Sequence, residues 1–531
     1  MKRFLVILLC IVSAAITARA IDLDSLFVKS VGGPEAVDSL KRLTSYRAEG
    51  DMDMMGMKGT FVEYYVPPDR FYSKIQVGAM KMVQAYDGHT AWQIDMNGQT
   101  SELQGFERDA VLKGLYFNSH SYLFNDRFDG SYEYNGEIIR DGVRYHEVAF
   151  SPLNKDTVTA YFEFDSGLLS ESIGFIDELA MHTYYRNVSK IGGILWPTEV
   201  DVIAQGAPVS MKATYETITL NEPVDRSIFR IPTDNTRDFG FPGDVDSLVV
   251  PFRYQAGHVK LPVLVNGSTK VWMILDSGAS ANIFNKSVAT QLGLEHVGKI
   301  AAKGISAYEE VDMVRVDSIQ IGGLSLRDQV AGSLDLSVLS SVGPDGAPFG
   351  GVLGYDFLSR FPVLINYRDS TLTVYNPETF NPEDSGTSVT FHLTMKVPTV
   401  RAELNGLAGD FIVDLGNAFG LVIHDRFAET HHLDSLLDHI EPIPHGIGGV
   451  GGSISGRTAF AASFKVGDVL LQSLKVIIPE SGGGLAGSEQ LAGNIGNLVL
   501  ENFKILLDYQ NSSIIFYDAD RPSMKVKSDD S

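Results

Sequence analysis

The feature that most constrains this chain is a duplication within its second half. The segment 271–279, Val-Trp-Met-Ile-Leu-Asp-Ser-Gly-Ala, parallels 409–417, Gly-Asp-Phe-Ile-Val-Asp-Leu-Gly-Asn. Each is an apolar strand that delivers an Asp-x-Gly turn, and the two aspartates are Asp276 and Asp414. A glycine-rich hairpin follows each turn, at 303–307 in the first copy and 445–452 in the second. Further on, 351–367 runs without a gap beside 493–509, setting Leu358 against Leu500, Phe361 against Phe503 and Tyr367 against Tyr509. The register persists through 370–375 and 512–517, so both copies end in the same hairpin. A repeat of this length is a duplicated folding unit, and two copies make an internal pseudo-dimer.

Two carboxylates supplied by two similar lobes suit one chemistry in particular. Like charges held close cannot both ionise, so the pair shares a proton. One carboxylate then acts as general base on a water while its protonated partner polarises a carbonyl, and the roles reverse as the amine leaves. Gly278 and Gly416 let the backbone turn tightly and approach the carboxylate. An isolated Asp-Ser-Gly reads as a solvated turn. The repeat and the apolar strand before each turn override that reading.

With these motifs in place, Asp276-Ser277-Gly278-Ala279 after Trp272 to Leu275 resembles the Asp-Thr/Ser-Gly-Ala signature of retropepsin-like aspartyl proteases. Val352-Leu353-Gly354 resembles that family's second, apolar-apolar-Gly motif, and 355–358 through the closing hairpin is similar to its bacterial members. The resemblance covers residues 250 to 520. It implies an active site at the lobe interface with Asp276 and Asp414 as catalytic groups. It also implies Ser277, Gly278, Ala279, Leu415 and Gly416 as the surrounding turns, and flaps around Gly304 and Ile305 and around Gly446, Ile447, Gly448 and Gly449. The second copy has Leu415 where the family places Thr or Ser. Ser277 is therefore expected to lack its symmetric partner, and an unpaired buried hydroxyl costs about 1–3 kcal/mol. Asn494 is likewise polar where the first copy has Val352.

The chain has 531 residues, room for about three domains. It opens with Met1-Lys2-Arg3, an apolar run from Phe4 to Ala15 and Ala18-Arg19-Ala20, the order of a secretory signal peptide cleaved after Ala20. Periplasmic or secreted localisation is the expectation. The single cysteine, Cys10, lies in that segment, and Ile7 to Leu9 before it lack the small residue that precedes a lipidated cysteine. The mature chain then has no thiol, which excludes disulfides, thiolate catalysis and cysteine metal sites. No stretch reaches the roughly 20 apolar residues of a membrane helix. The net charge of −23 becomes three units more negative without Lys2, Arg3 and Arg19, a surface that repels nucleic acid. His431, His432, His439 and His445 have no acidic pair at ligand spacing and read as surface residues. Neither metal nor organic cofactor is expected.

Ahead of the repeat, residues 21–235 alternate apolar and polar residues in short runs, as in 59–66 and 157–164, which predicts antiparallel sheet. One amphipathic helix is expected first, with Leu26, Val28, Val31, Ala36, Val37 and Leu40 near helical spacing. Val66 to Tyr72 and Ala85 to Ile94 resemble outer-membrane lipoprotein carrier and sorting proteins. That implies a curved half-barrel wrapped over a helix, with an apolar concave face and contact with lipid or lipoprotein. The Gly/Pro-marked polar stretch 236–249 is expected to be a linker. Lobes at 250–382 and 388–520 and a tail at 521–531 complete the division.

The expectation is a mainly β, monomeric aspartic endopeptidase acting on polypeptides, with an appended binding domain. A catalytically degenerate protein that binds peptide or lipid is the alternative, favoured by Leu415. A third arrangement pairs Asp276 with its counterpart in a second molecule.

Overall fold

The computed structural model describes residues 22–518 apart from 125, 178, 233–236, 244, 305–307, 338, 340–342, 383–385, 444–446, 450–451, 481–483 and 489. The segment 1–20 with Cys10, Ile305, His445, Gly446 and the tail 521–531 lie outside the described residues. The fold is mainly β, as expected.

The amino-terminal domain is one thirteen-stranded antiparallel sheet made of two meanders, Tyr46 to Glu102 and Gly130 to Leu220. They join where Tyr46–Met54 pairs with Ser210–Leu220. Alternation does the work along each strand: Val158, Ala160 and Phe162 are buried on one face of Val158–Glu163. Instead of the single helix expected, two short ones, Leu23–Ser30 and Pro34–Lys41, pack on the sheet. Gly32 and Gly33, at φ of 111° and 100°, end the first, and Pro34 starts the second with its ring in the first turn. A third helix, Gly105–Asn118, was not anticipated; it bridges the meanders and buries Val111, Leu112, Leu115 and Tyr116. A cavity of about 510 Å³ lies between these helices and the sheet, lined among others by Tyr46, Phe117, Leu195, Trp196 and Val202.

Each copy of the repeat is a closed six-stranded barrel. In the first, the order His258–Val265, Thr269–Leu275, Phe349–Leu353, Ile283–Asn285, Leu324–Leu334, Tyr308–Ile321 closes where the last strand pairs with the first. The second repeats it with Val397–Leu404, Leu407–Val413, Gly493–Ile495, Leu421–Ile423, Val469–Pro479 and Gly456–Val466. The matching terminal hairpins build a six-stranded sheet shared by both barrels. Val363–Asn366 pairs antiparallel with Phe503–Asp508, setting Val363 against Leu507 and Ile365 against Ile505. All four side chains are essentially inaccessible. At about 1.5–3 kcal/mol for each buried aliphatic side chain, this seam holds the barrels in one body with a common core.

The stretch 236–249 is not a free linker. Phe239–Gly240 pairs with Ser325 and Leu326, and Ser247–Pro251 pairs with Thr371–Tyr375. Its polarity has a buried purpose: Asp238 accepts from Arg360 Nε over 2.7 Å and from Gln329 Nε2 over 2.7 Å, and Arg360 is 2 % exposed.

The amino-terminal domain is docked on the barrels. Met52, Phe61, Val77 and Met80 form one apolar cluster with Val311, Met313 and Val330 of the first barrel. Around it, Asn97 exchanges hydrogen bonds with the Val330 backbone, and Lys396 of the second barrel pairs with Asp95 at 2.7 Å. Among the described residues, no helix is long and apolar enough to cross a membrane.

Candidate active site

In each barrel the strand that carries the aspartate lies parallel to the strand of the second motif, with Leu275 beside Leu353 and Val413 beside Ile495. The Asp276 amide donates to the Leu353 carbonyl and the Asp414 amide to that of Ile495, both over 2.9 Å. Each aspartate therefore leaves a buried strand at a fixed point and turns into the space between barrels. Gly278 N donates to Asp276 Oδ1 over 2.8 Å, and Gly416 N to Asp414 Oδ1 over 2.9 Å.

The two glycines show how close the barrels come. A Cβ on Gly278 would collide with the Asp414 carboxylate, and one on Gly416 with the carboxylate of Asp276. Neither requires left-handed backbone; each is needed for the approach across the interface rather than for its own turn. The structure thus brings Asp276 and Asp414 together, within reach of a shared side-chain hydrogen bond. Both are partly accessible. Burial, and then the charge of Asp414, push Asp276 up to about 8. Burial raises Asp414 as well, against hydrogen bonds from Asn494, Gly416 and Asn417 that favour its ionised form. A pair so arranged holds a proton through the neutral range.

Ser277 does not lack a partner, contrary to expectation. It is fully buried, donates to the Val413 carbonyl over 2.6 Å and accepts from Leu415 N over 3.0 Å. One hydroxyl bridges two backbone groups of the other barrel, and Leu415, 1 % exposed, fills its side of the seam with hydrocarbon.

Two residues missed from the sequence complete the interlock. Asn497, fully buried, donates to Leu415 O over 2.6 Å and to Gly257 O over 2.8 Å, and accepts from Tyr367 Oη over 2.6 Å. His258 Nε2 lies 3.1 Å from the Gly416 carbonyl. Since a carbonyl only accepts, that nitrogen carries the hydrogen. A third missed group, His424, lies behind Asp414: Asn494 Nδ2 donates to Asp414 Oδ2 over 2.7 Å, and Asn494 Oδ1 is 2.8 Å from His424 Nε2. The signal for Asn494 and Asn497 was present in the gapless pairing, which sets them against Val352 and Tyr355.

Of the flap candidates, Gly304 sits at the end of the strand Glu295–Lys303, and its carbonyl accepts from Leu485 N of the second barrel over 2.9 Å. Ile447, Gly448 and Gly449 form a two-stranded ribbon with Gly452–Ile454. Beside Gly304, Lys303 pairs at 2.6 Å with Asp177 of the amino-terminal domain, and Ser488 Oγ donates to the same carboxylate over 3.0 Å. Among the described residues, no three His, Cys, Asp or Glu side chains are grouped to hold a metal.

Comparison with known proteins gives a family match within the first barrel: residues 261–357 fit the family described as aspartyl protease. No curated protein matches the chain. Among similar solved structures, an aspartic proteinase from Irpex lacteus is 13 % identical, covering 52 % of this chain and 98 % of its own, with a TM-score of 0.34. A DUF1329 family protein from Desulfovibrio piger is 14 % identical, covering 39 % of this chain and 95 % of its own, with a TM-score of 0.28.

Proposed function

We propose that the two barrels form an aspartic endopeptidase whose catalytic pair is Asp276 and Asp414. The observation that carries this reading is the mutual approach of the two Asp-x-Gly turns, in which each glycine faces the other barrel's carboxylate. The aspartyl protease match over residues 261–357 supports it. With one proton between them, the ionised carboxylate takes a proton from the attacking water and the protonated one donates to the scissile carbonyl oxygen. The substrate is a polypeptide bound between the barrels, under flaps formed by the hairpins near Gly304 and Ile447. Because both aspartates belong to one chain, the active unit is a monomer, secreted or periplasmic. A peptide carrying a tetrahedral hydroxyl in place of the scissile carbonyl mimics the transition state and binds tightly. Calorimetric titration is expected to give one such inhibitor per chain. One per two chains would place the site between molecules, and no binding would count against a peptidase.

The second reading, a binding protein for lipid or lipidated peptide, draws on the 510 Å³ cavity of the amino-terminal domain. Displacement of a fluorescent fatty acid, lost on filling the cavity with Val202→Trp, would support it as an accessory function.

A further inference from the structure

Alternation along the strand that delivers Asp276 divides its side chains between two faces. Val271, Met273 and Leu275 enter the common core, so Trp272 and Ile274 lie on the opposite face, and Asp276 follows at the next place of that face. There Ile274 packs with Phe349 and Val352, and Ala279 of the aspartate turn packs against the same cluster. In the neighbouring strand His258–Val265, Lys260 stands directly opposite Ile274, and residues paired across antiparallel strands share a face. His258, two positions earlier on that face, brings its Nε2 to 3.1 Å from the carbonyl of Gly416, in the other barrel's turn. The charge of Lys260 is near enough to hold His258 down. Lys260 therefore belongs to the wall of the space between the barrels, one same-face step from the aspartate pair.

This lysine is 4 % exposed, yet among the described residues no carboxylate, carbonyl or hydroxyl pairs with its ammonium. Burial holds it below the usual lysine range, with no anion to offset the effect. By contrast the enclosed side chains of Lys303 and Arg360 are matched by Asp177 and Asp238. Among the described residues, the unpaired polar atoms cut off from solvent include Tyr509 Oη and Asn417 Nδ2 but not Lys260 Nζ. The little surface that Lys260 retains thus reaches its ammonium and leaves it open to a ligand. An enclosed cation without a partner is costly, and an arriving anion relieves that cost. The second barrel has no charge at this place. Its counterpart of Ile274 is Ile412, and opposite stands Thr399, fully buried, whose hydroxyl donates to the Val397 carbonyl over 3.3 Å. Two duplicated barrels set equivalent walls on opposite sides of a scissile bond held between them, so the cation acts on one side alone.

We propose that Lys260 is a specificity-determining residue of the cleft: it pairs with an acidic side chain of the polypeptide substrate, Asp or Glu, at one position on one side of the scissile bond. This role rests on the peptidase reading.

The test uses the purified chain without residues 1–20 and a set of peptides carrying Glu, Gln or Lys at each position around the bond cut. Hydroxyl-bearing inhibitors of the same sequences, titrated by calorimetry, read binding without cleavage. Wild type is expected to favour Glu over Gln by about ten- to a hundredfold in kcat/KM and in inhibitor affinity, the range for a hydrogen bond to a charged group, and at one position only. Lys260→Met should erase that preference. It should also raise the urea midpoint, since a cation without a partner in the free chain gives way to an apolar side chain of similar length. Three results would overturn the role of Lys260 and leave the peptidase standing: no acid preference at any position, the same preference in Lys260→Met, or a preference mirrored on both sides of the bond. A lower urea midpoint in Lys260→Met would overturn it too, by revealing a structural partner. Failure to bind any inhibitor or cut any peptide would sink the peptidase reading, and this role with it.

Discussion

At the scale of single residues, the interface between the aspartate turns is asymmetric. Ser277 satisfies two backbone groups of the opposite barrel, while Leu415 contributes only apolar packing. Ser277→Ala should therefore strand the buried Leu415 N–H and lower stability by about 1–3 kcal/mol, read from the shift in urea midpoint. Gly416→Ala should abolish cleavage, because its methyl group would occupy the space of the Asp276 carboxylate. Asp276 also leaves a mark on stability against pH. Its carboxyl is raised from an ordinary 3.8 to about 8 on folding, so the folded chain holds a proton that the unfolded chain has lost. Stability from this group is full below about pH 4 and falls as pH rises to 8. The wild-type melting temperature should decline over that window more steeply than that of Asp276→Asn, and parallel curves would contradict the shift. Asp276, Asp414 and their glycines were legible because each recurs in register. His258 and His424 were not, since each acts on a residue 70 or more positions away and a lone His carries no periodic signal.

At the scale of elements, duplication made the barrels and their shared hairpin sheet readable, because each strand was seen twice. Elements occurring once fared worse. Helix Gly105–Asn118 contains two glycines and three aromatic residues among its fourteen, so propensity gave little indication of it. The stretch 236–249 looked like a linker because Asp238 is polar, and its partner Arg360 is 122 residues away. The strand Glu295–Lys303 ends in the Lys303–Asp177 pair, whose side chains are 5 % and 4 % exposed. Breaking one partner of a buried pair costs about 3–5 kcal/mol, more than replacing both with hydrocarbon. Lys303→Met should accordingly destabilise strongly and speed amide exchange along Glu295–Lys303, and adding Asp177→Leu should recover most of the loss. Equal stability of the single and double variants would show that the ion pair does not pin this hairpin.

At the scale of the molecule, the amino-terminal domain packs against the two barrels. Val311, Met313 and Val330 are at most 6 % exposed because Met52, Phe61, Val77 and Met80 cover them. A chain starting at residue 237 would expose that patch beside Lys396, deprived of Asp95. It should associate in light scattering at concentrations where a chain starting at residue 21 stays monomeric. The same packing puts Asp177 beside the Gly304 hairpin, so the domain helps shape one wall of the proposed cleft.

The two-barrel site is tested most directly by cleavage of a denatured protein mixture by the purified chain without residues 1–20 from pH 3 to 7, beside Asp276→Asn and Asp414→Asn, with molecular mass measured for each. The two-barrel site predicts cleavage by the wild-type monomer and loss of it in both variants. Cleavage that survives Asp414→Asn, or a wild-type chain that cuts nothing, would contradict it.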